Sequence, residues 1–187
     1  TPNPSVMKYV ANKLIVPALF EFKNIDEAKD APLAKELFLM PFVKEVFMDQ
    51  NYISVTKYDV AEWEEINHEL REKIRNFLMT GQEAVGANTV QKEKEKAPTT
   101  LLHTENLDDT SKQIVDILEE YVKPAVASDG GNIMFDSYDE ESKTVNVILQ
   151  GACSGCPSST FTLKNGIENM LKNMMGDKIA QVIAING

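Results

Sequence analysis

The sequence predicts an α+β fold made of two small α/β-sandwich-like domains joined by a flexible tether. Short strand-like segments with alternating apolar residues are interspersed with amphipathic helical patterns on both sides of the middle of the chain. The middle itself, residues 81–109, contains no aromatic residue and includes the charge run QKEKEKAPTT. Such a stretch cannot bury enough apolar surface to offset its chain entropy. We therefore predict domains over residues 1–80 and 110–187, with a flexible linker over residues 81–109.

The first domain is predicted to contain four strands and two helices. The strands are expected at Val6–Val10, Ala18–Phe22, Val43–Met48 and Tyr52–Tyr58. A short helix should begin at Pro32 and end before Pro41, because proline fits the first turn of a helix and not its interior. A long helix should follow, with Asp59 and Glu62 as a capping box at its start and Gly81 as its stop.

The second domain is predicted to contain two helices and three strands. Its first helix should be capped by Thr110 or Ser111, and Pro124 should kink or end it. A second helix should begin at Pro157 and end at Gly176. The first two strands should form a hairpin, and the third should follow the second helix. These strands are expected at Ile133–Ser137, Thr144–Gln150 and Ile179–Ile185.

The two cysteines of the chain, Cys153 and Cys156, lie where a predicted strand ends and the helix at Pro157 begins. Pro157 suits the first helical position, so Cys156 is predicted to be the N-cap. Free backbone N–H groups and the positive end of the helix dipole gather there, and both should lower the pKa of a thiol. Gly151 and Gly155 leave room for a ligand to approach the backbone. We therefore predict that both cysteines are thiolates that bind a metal cluster.

The number of cysteines determines how a metal could be held. An iron–sulfur cubane or a zinc–thiolate site normally has four protein ligands, whereas this chain has two cysteines. A cluster would therefore lie on the two-fold axis of a homodimer, at the surface between the subunits. Such a cluster is easier to pass on than one buried in a core, which suits a carrier better than a permanent electron-transfer centre.

Two other functions fit the same motif. A dithiol oxidoreductase of the thioredoxin type also places a CxxC pair at a helix N-terminus. Its usual setting is a βαβ unit, whereas the predicted strands before Cys153 form an antiparallel hairpin. A zinc ion shared between two chains would also satisfy the ligand count. On the residues alone, both alternatives remain open.

Charge and cysteine content narrow the range of partners. The net charge is −10, and the negative charge is spread evenly along the chain with no basic stripe. Nucleic acids and anionic membrane surfaces are bound mainly through clustered cations, so we expect neither as a partner. No stretch approaches the roughly 20 apolar residues of a membrane span. Two cysteines are too few for a secreted disulfide scaffold, which indicates a reducing, cytoplasmic location.

Longer motifs resemble a known family. The stretch SDGGN, followed by LQGACSGCPSSTFTLKNGIENML, resembles the C-terminal domain of NifU, also called the NifU-like or Nfu domain. The opening TPNP, with APLAKELF, VKEVF and YISVTK, resembles the Nfu N-terminal domain. The resemblance covers nearly the whole chain outside the tether. It implies an Nfu N-terminal domain over residues 1–80 and a cluster-binding domain over residues 110–187.

The resemblance implies an iron–sulfur cluster carrier and not an enzyme. Proteins of this family receive a 4Fe-4S cluster from a scaffold donor and pass it to apo-protein acceptors. The two family cysteines fall on Cys153 and Cys156, which would hold the cluster between two protomers, in agreement with the ligand count. The further cysteines of the full-length NifU scaffold are absent from the sequence, so this chain should not assemble clusters itself. In a eukaryote, the mitochondrial matrix is a further possible location.

Asp129, Gly130 and Gly131 match the DGG of the family. From the residues alone, they belong to a turn at Ser128–Asn132 that leads into the next strand, because glycine adopts positive φ. We expect this structural role rather than contact with the cluster. The N-terminal domain shows no site chemistry, and we expect it to recognise partners while the tether keeps the second domain close to them.

Overall fold

The computed structural model describes residues 1–90, 108–154 and 157–186. The chain divides into two compact units, of which residues 4–90 belong to the first and residues 108–186 to the second. Each unit combines a β-sheet with helices, so the predicted α+β class is confirmed. No helix in the described ranges is long and apolar enough to cross a bilayer.

The first unit contains an antiparallel four-stranded sheet and two helices. Its elements are β1 Val6–Val10, β2 Phe20–Phe22, α1 Pro32–Phe38, β3 Val43–Asp49, β4 Tyr52–Lys57 and α2 Trp63–Met79. The strand order is β1-β4-β3-β2, and every neighbouring pair is antiparallel. One core joins the sheet to both helices, because each element turns its apolar residues inward. The largest fully buried side chains of this core are Phe20, Leu33, Leu37, Met48, Ile53 and Leu70.

The start of α2 differs from the prediction, whereas its end agrees with it. Asp59 and Glu62 do not form a capping box: Glu62 itself is the N-cap, its backbone is extended, and no side chain caps the helix. The reason is that residues 58–61 form a hydrogen-bonded turn, which keeps Asp59 away from the first helical N–H groups. At the other end, Gly81 has φ 74°, the left-handed conformation expected of a helix stop.

The start of the predicted linker packs on the first unit. Ala84 and Val85 are buried in its core. The Thr89 N–H donates a hydrogen bond of 3.0 Å to the Asp30 carboxylate. Residues 91–107 lie outside the described residues, so the flexibility predicted for them stays a prediction.

The second unit contains a three-stranded sheet with one antiparallel and one parallel strand pair. Its helical elements are α3 Asp109–Ile117, a π-helical turn Leu118–Val122, α4 Lys123–Ser128, α5 Pro157–Met175 and a 3-10 turn Gly176–Lys178. Its strands are β5 Gly131–Asp139, β6 Thr144–Gly151 and β7 Gln181–Asn186. The strand order is β5-β6-β7; β5 and β6 form the predicted hairpin, and β7 pairs with β6 in parallel. The largest fully buried side chains of its core are Ile114, Ile133, Leu149 and Leu171.

The first helical stretch of this unit differs from the prediction at its cap, whereas its interruption near the proline agrees with the prediction. Asp108 caps α3, rather than Thr110 or Ser111, because its carboxylate accepts both the N–H and the hydroxyl of Ser111, at 2.8 and 2.7 Å. The regular α-helix is interrupted before Pro124, as predicted, since α3 ends at Ile117 and the helical path continues through the π-helical turn into α4. There, Pro124 lies in the first turn of α4, where its missing N–H is tolerated.

The parallel pairing of β7 places the cysteine loop in a β–α–β unit. β6, α5 and β7 follow one another, and the loop joins the first strand to the helix. The predicted hairpin is present, but the expectation that the motif lies outside a βαβ unit is wrong. The reason is that parallel pairing joins strands separated by an entire helix, which local patterns do not reveal. This setting therefore does not separate a metal site from a dithiol site.

Candidate functional site

The loop between β6 and α5 carries the first cysteine of the motif. Gly151, at the end of β6, has φ 62° and turns the chain. Ser154 closes this turn, since its N–H and its hydroxyl both donate to the Gly151 carbonyl, at 3.0 and 2.9 Å. On the helix side, the Thr160 hydroxyl donates to the Cys153 carbonyl at 3.2 Å. Cys153 is therefore held between the end of the strand and the first turns of the helix.

Cys153 is buried against the first residues of β5. Only 6% of its surface is exposed, and it packs in the core of the second unit. A methyl group on Gly131 would lie 2.8 Å from Cys153 Sγ and 2.6 Å from the Gln150 carbonyl oxygen. The Ala152 N–H donates to the Gly130 carbonyl at 3.2 Å. The DGG segment therefore lies directly against the cysteine loop in addition to leading into β5.

Burial raises the pKa of the Cys153 thiol to about 11, from an ordinary value of 9.0, and the negative charge of Asp129 adds to the rise. The expectation of a lowered pKa is therefore wrong for this cysteine. The physical reason is that Sγ lies in the core, where a thiolate loses its hydration. Cys153 is consequently a neutral thiol at neutral pH in this conformation.

Cys156 lies outside the described residues, so its N-cap position and its role as a ligand stay predictions. The helix itself does begin at Pro157, the residue predicted to open it. Within the described ranges, no group of three or more His, Cys, Asp and Glu side chains could hold a metal ion. What the described part of the loop offers a metal is the sulfur of Cys153.

Asp129 and Gly131 affect the site in ways that the sequence pattern did not predict. Asp129 acts on the charge of Cys153, and Gly131 leaves the space that its sulfur occupies. The signal that could have found them is the pair of consecutive glycines at the start of a strand. Glycine in such a place often marks a close approach of another backbone.

Both units match known protein families. Residues 1–81 match the family described as scaffold protein Nfu/NifU N terminal, and residues 114–183 match the NifU-like domain. The chain belongs to the Nfu family. The two matches fall on the two compact units, one in each, and the second includes the cysteine loop.

Curated relatives of this Nfu chain are similar to it along most of its length. NifU-like protein 4, mitochondrial, of Arabidopsis thaliana is 35% identical over 178 residues, or 95% of this chain. The NFU1 iron-sulfur cluster scaffold homolog, mitochondrial, of Drosophila willistoni is 36% identical over 174 residues, or 92% of this chain. The chain spans 61% and 57% of the lengths of these two relatives. Among solved structures, the chain is similar to the solution NMR structure of a NifU-like protein from Saccharomyces cerevisiae, with a sequence identity of 21% and a TM-score of 0.42. The match covers 46% of this chain and 80% of that one.

Proposed function

We propose that this chain is an iron–sulfur cluster carrier. Two protomers would bind one 4Fe-4S cluster through Cys153 and Cys156 of each, and the loaded homodimer would transfer it to apo-proteins. The observation that carries the proposal is the CxxC pair at the β6–α5 junction, which holds both cysteines of the sequence and so supplies half of a four-sulfur ligand set. The Drosophila willistoni relative, which is named an iron-sulfur cluster scaffold homolog, supports this role.

Cluster binding requires Cys153 to lose its proton. Thiolate is the form of cysteine that ligates iron, and burial together with the charge of Asp129 opposes it. Binding therefore releases protons, and its affinity should increase with pH. The positive charge of the iron offsets the cost of the buried thiolate.

Transfer is an exchange of ligands in this proposal, with no change in oxidation state. A thiolate of the acceptor replaces one carrier sulfur on iron, and the released sulfur takes up a proton. For Cys153, whose pKa is raised to about 11, taking up the proton that the acceptor thiol gave up is favourable. Burial and the charge of Asp129 oppose cluster binding by Cys153. They therefore favour transfer of the cluster to an acceptor whose cysteines have a less strongly raised pKa.

A scaffold donor and apo-protein acceptors are the partners that this role requires. Neither nucleic acid nor a membrane is needed, and no residue is assigned a catalytic role. The first unit would recognise the partners while the second unit holds the cluster. The names of both relatives include the word mitochondrial, which favours the mitochondrial matrix over the cytoplasm as the location of this chain.

A dithiol oxidoreductase is the second candidate, and the β–α–β setting of the cysteine loop favours it. Such an enzyme needs an accessible thiolate of lowered pKa as its nucleophile. Cys153 is buried and its pKa is raised, so it does not meet this requirement. The nucleophile would have to be Cys156, which makes Cys156→Ser the informative variant for this alternative.

Anaerobic reconstitution of the full chain tests the carrier proposal. The protein is incubated with ferrous iron and sulfide without oxygen, and its iron, acid-labile sulfide and mass are measured. About four iron and four sulfide per dimer are expected. Cys153→Ser and Cys156→Ser should each lose the cluster, whereas Ser154→Ala, a change in the same loop that removes no sulfur, should keep it.

Each alternative predicts a different result in these measurements. A monomer without acid-labile sulfide would overturn the carrier proposal. About one zinc per dimer and no iron, in protein purified without air, would indicate a zinc-bridged dimer. Reduction of insulin that is lost in Cys156→Ser, in protein that never binds metal, would indicate the dithiol enzyme.

A further inference from the structure

A cleft of about 780 Å³ in the first unit is not used by the cysteine site. One wall is formed by the end of β1 and the loop after it, residues 9–13, together with Ile15. The other wall is one face of α2. The floor is apolar, since Ile74 is buried and Ile15 and Leu78 pack against the core. The cleft therefore has the apolar base of a binding site.

Exposed apolar side chains extend the cleft at its rim. Val10, at the end of β1, is 66% exposed, and Met79, at the end of α2, is 74% exposed. Single exposed apolar residues are ordinary on protein surfaces. Here the two belong to different elements and line the same cleft, so both add apolar area to its rim.

The only two arginines of the sequence, Arg71 and Arg75, both line the cleft. They are four positions apart on α2, so they project from the same face of the helix. Arg75 makes an exposed ion pair of 3.6 Å with Glu72, a contact worth little in water. Within the described ranges, Arg71 makes no hydrogen bond or ion pair. Arginine is suited to carboxylates, which its planar group binds through two parallel hydrogen bonds.

The cleft is positive although the chain has a net charge of −10. Its described lining includes a third cation, Lys13, and no carboxylate. Burial raises the pKa of Tyr9 to about 12, so this hydroxyl remains neutral and donates to Asn67 Oδ1 at 2.9 Å. The linear sequence has no basic stripe, and these three cations come together only because the fold places Lys13 in the same cleft as the two arginines.

We propose that this cleft is the docking site for an acidic segment of a partner protein. The segment would place a leucine or phenylalanine on the apolar floor and flanking Asp or Glu side chains on Arg71 and Arg75. A small ligand would be mostly enclosed by its site. In this cleft both arginines, Val10 and Met79 are exposed. Such an open groove suits a peptide, which it would contact on one side only. Assigning the partner as a cluster donor or acceptor rests on the proposed function; peptide binding itself does not.

Peptide titration of the full chain, without cluster, tests the proposal. The probe is the fluorescent octapeptide DELFEELD, and its anisotropy gives the affinity. Two control peptides separate the contributions: DESSEESD lacks the apolar anchors, and KKLFKKLK reverses the charge. Amide NMR spectra should show peptide-induced shifts in residues 9–15 and in the last turns of α2. Raising the salt concentration should weaken binding.

Matched charge reversals test the role of the arginine. Arg71→Glu and Lys29→Glu each replace an exposed cationic side chain and change the net charge by two units. Lys29 does not line the cleft, so Lys29→Glu is the control. We expect Arg71→Glu to weaken binding of DELFEELD by about tenfold or more, and Lys29→Glu to change it by less than about twofold. Met79→Ser should also weaken binding, because it removes part of the apolar rim. Thermal unfolding confirms that each variant is folded.

Four outcomes would overturn the docking proposal. They are an absence of DELFEELD binding at millimolar concentration, equal binding of DESSEESD, stronger binding of KKLFKKLK, and equal weakening by Arg71→Glu and Lys29→Glu. Iron and sulfide measured on the same proteins keep the two proposals apart. Arg71→Glu should retain its full cluster content, and a wild-type chain that binds the peptide but no cluster would support docking and contradict only the carrier role.

Discussion

Replacing Gly131 with alanine perturbs the contact between β5 and the cysteine loop. The added methyl group would lie 2.6 Å from the Gln150 carbonyl oxygen and 2.8 Å from Cys153 Sγ, whereas unstrained contacts between such atoms are about 3.5 Å or longer. The nearer atom belongs to the backbone of β6, so it cannot rotate away as a side chain could. Overpacking of this kind costs about 1–3 kcal/mol. We expect Gly131→Ala to lower the free energy of unfolding of the second unit by this amount.

Gly166 in α5 provides a matched control. A methyl group there would meet no atom within 4 Å. Alanine is favoured over glycine in the interior of a helix by about 0.5–1 kcal/mol. Gly166→Ala is therefore expected to raise the free energy of unfolding of the same unit. The same chemical change is thus predicted to have opposite effects at two positions.

Urea unfolding of the full chain, followed through amide NMR signals of the second unit, measures both effects without interference from the first unit. Anaerobic reconstitution of the same variants adds a functional measurement. Gly131→Ala should bind less iron and sulfide, because the methyl group displaces Cys153, and Gly166→Ala should match the wild type. A Gly131→Ala chain as stable as the wild type would show that the packing described around Cys153 is incorrect.

Three further predictions concern charge and helix capping. Asp129→Asn should lower the pKa of Cys153 but leave it above 9.0, because burial, the larger cause of the rise, remains. Thiolate absorbance in a Cys156→Ser background measures this pKa, and an unchanged value would contradict the prediction. Because folding raises the pKa of Cys153, the neutral thiol contributes to the free energy of unfolding. This contribution is fully present below pH 9.0 and should be lost as pH rises through about 11. Urea unfolding of Cys153→Ala should lack this loss, and equal pH profiles would refute the assignment. Asp108→Ala should lower the free energy of unfolding by about 1 kcal/mol, since α3 loses two hydrogen bonds to Ser111; an unchanged urea midpoint would contradict it.

Local sequence patterns predicted the elements that depend on neighbouring residues. β1 has the predicted bounds, Val6–Val10, and β3 and β4 differ from theirs by one residue at one end each. α5 begins at Pro157 and ends before Gly176, as predicted. Each of these rests on side-chain alternation or on the backbone restrictions of proline and glycine, which act over a few residues.

The incorrect predictions concern contacts between residues that are distant in the sequence or choices among similar neighbours. The position of β7 beside β6 depends on pairing across the whole of α5. The raised pKa of Cys153 depends on burial against β5, and Gly131 is 22 positions earlier in the chain. The sequence predicts Thr110 or Ser111 as the cap of α3 because several capping residues adjoin there, and only the backbone shows that Asp108 is the extended one.

Burial also shelters Cys153 from oxidation. Peroxides attack cysteine as its thiolate, and they do so most readily at accessible positions. Cys153 is 6% exposed and its pKa is raised to about 11, so neither condition is met in this conformation. An iron–sulfur carrier must spend part of its working life without cargo, when its sulfurs have no metal to protect them. In the carrier role proposed for this chain, the core that stabilises the second unit would also keep one of the two sulfurs chemically intact between rounds of loading.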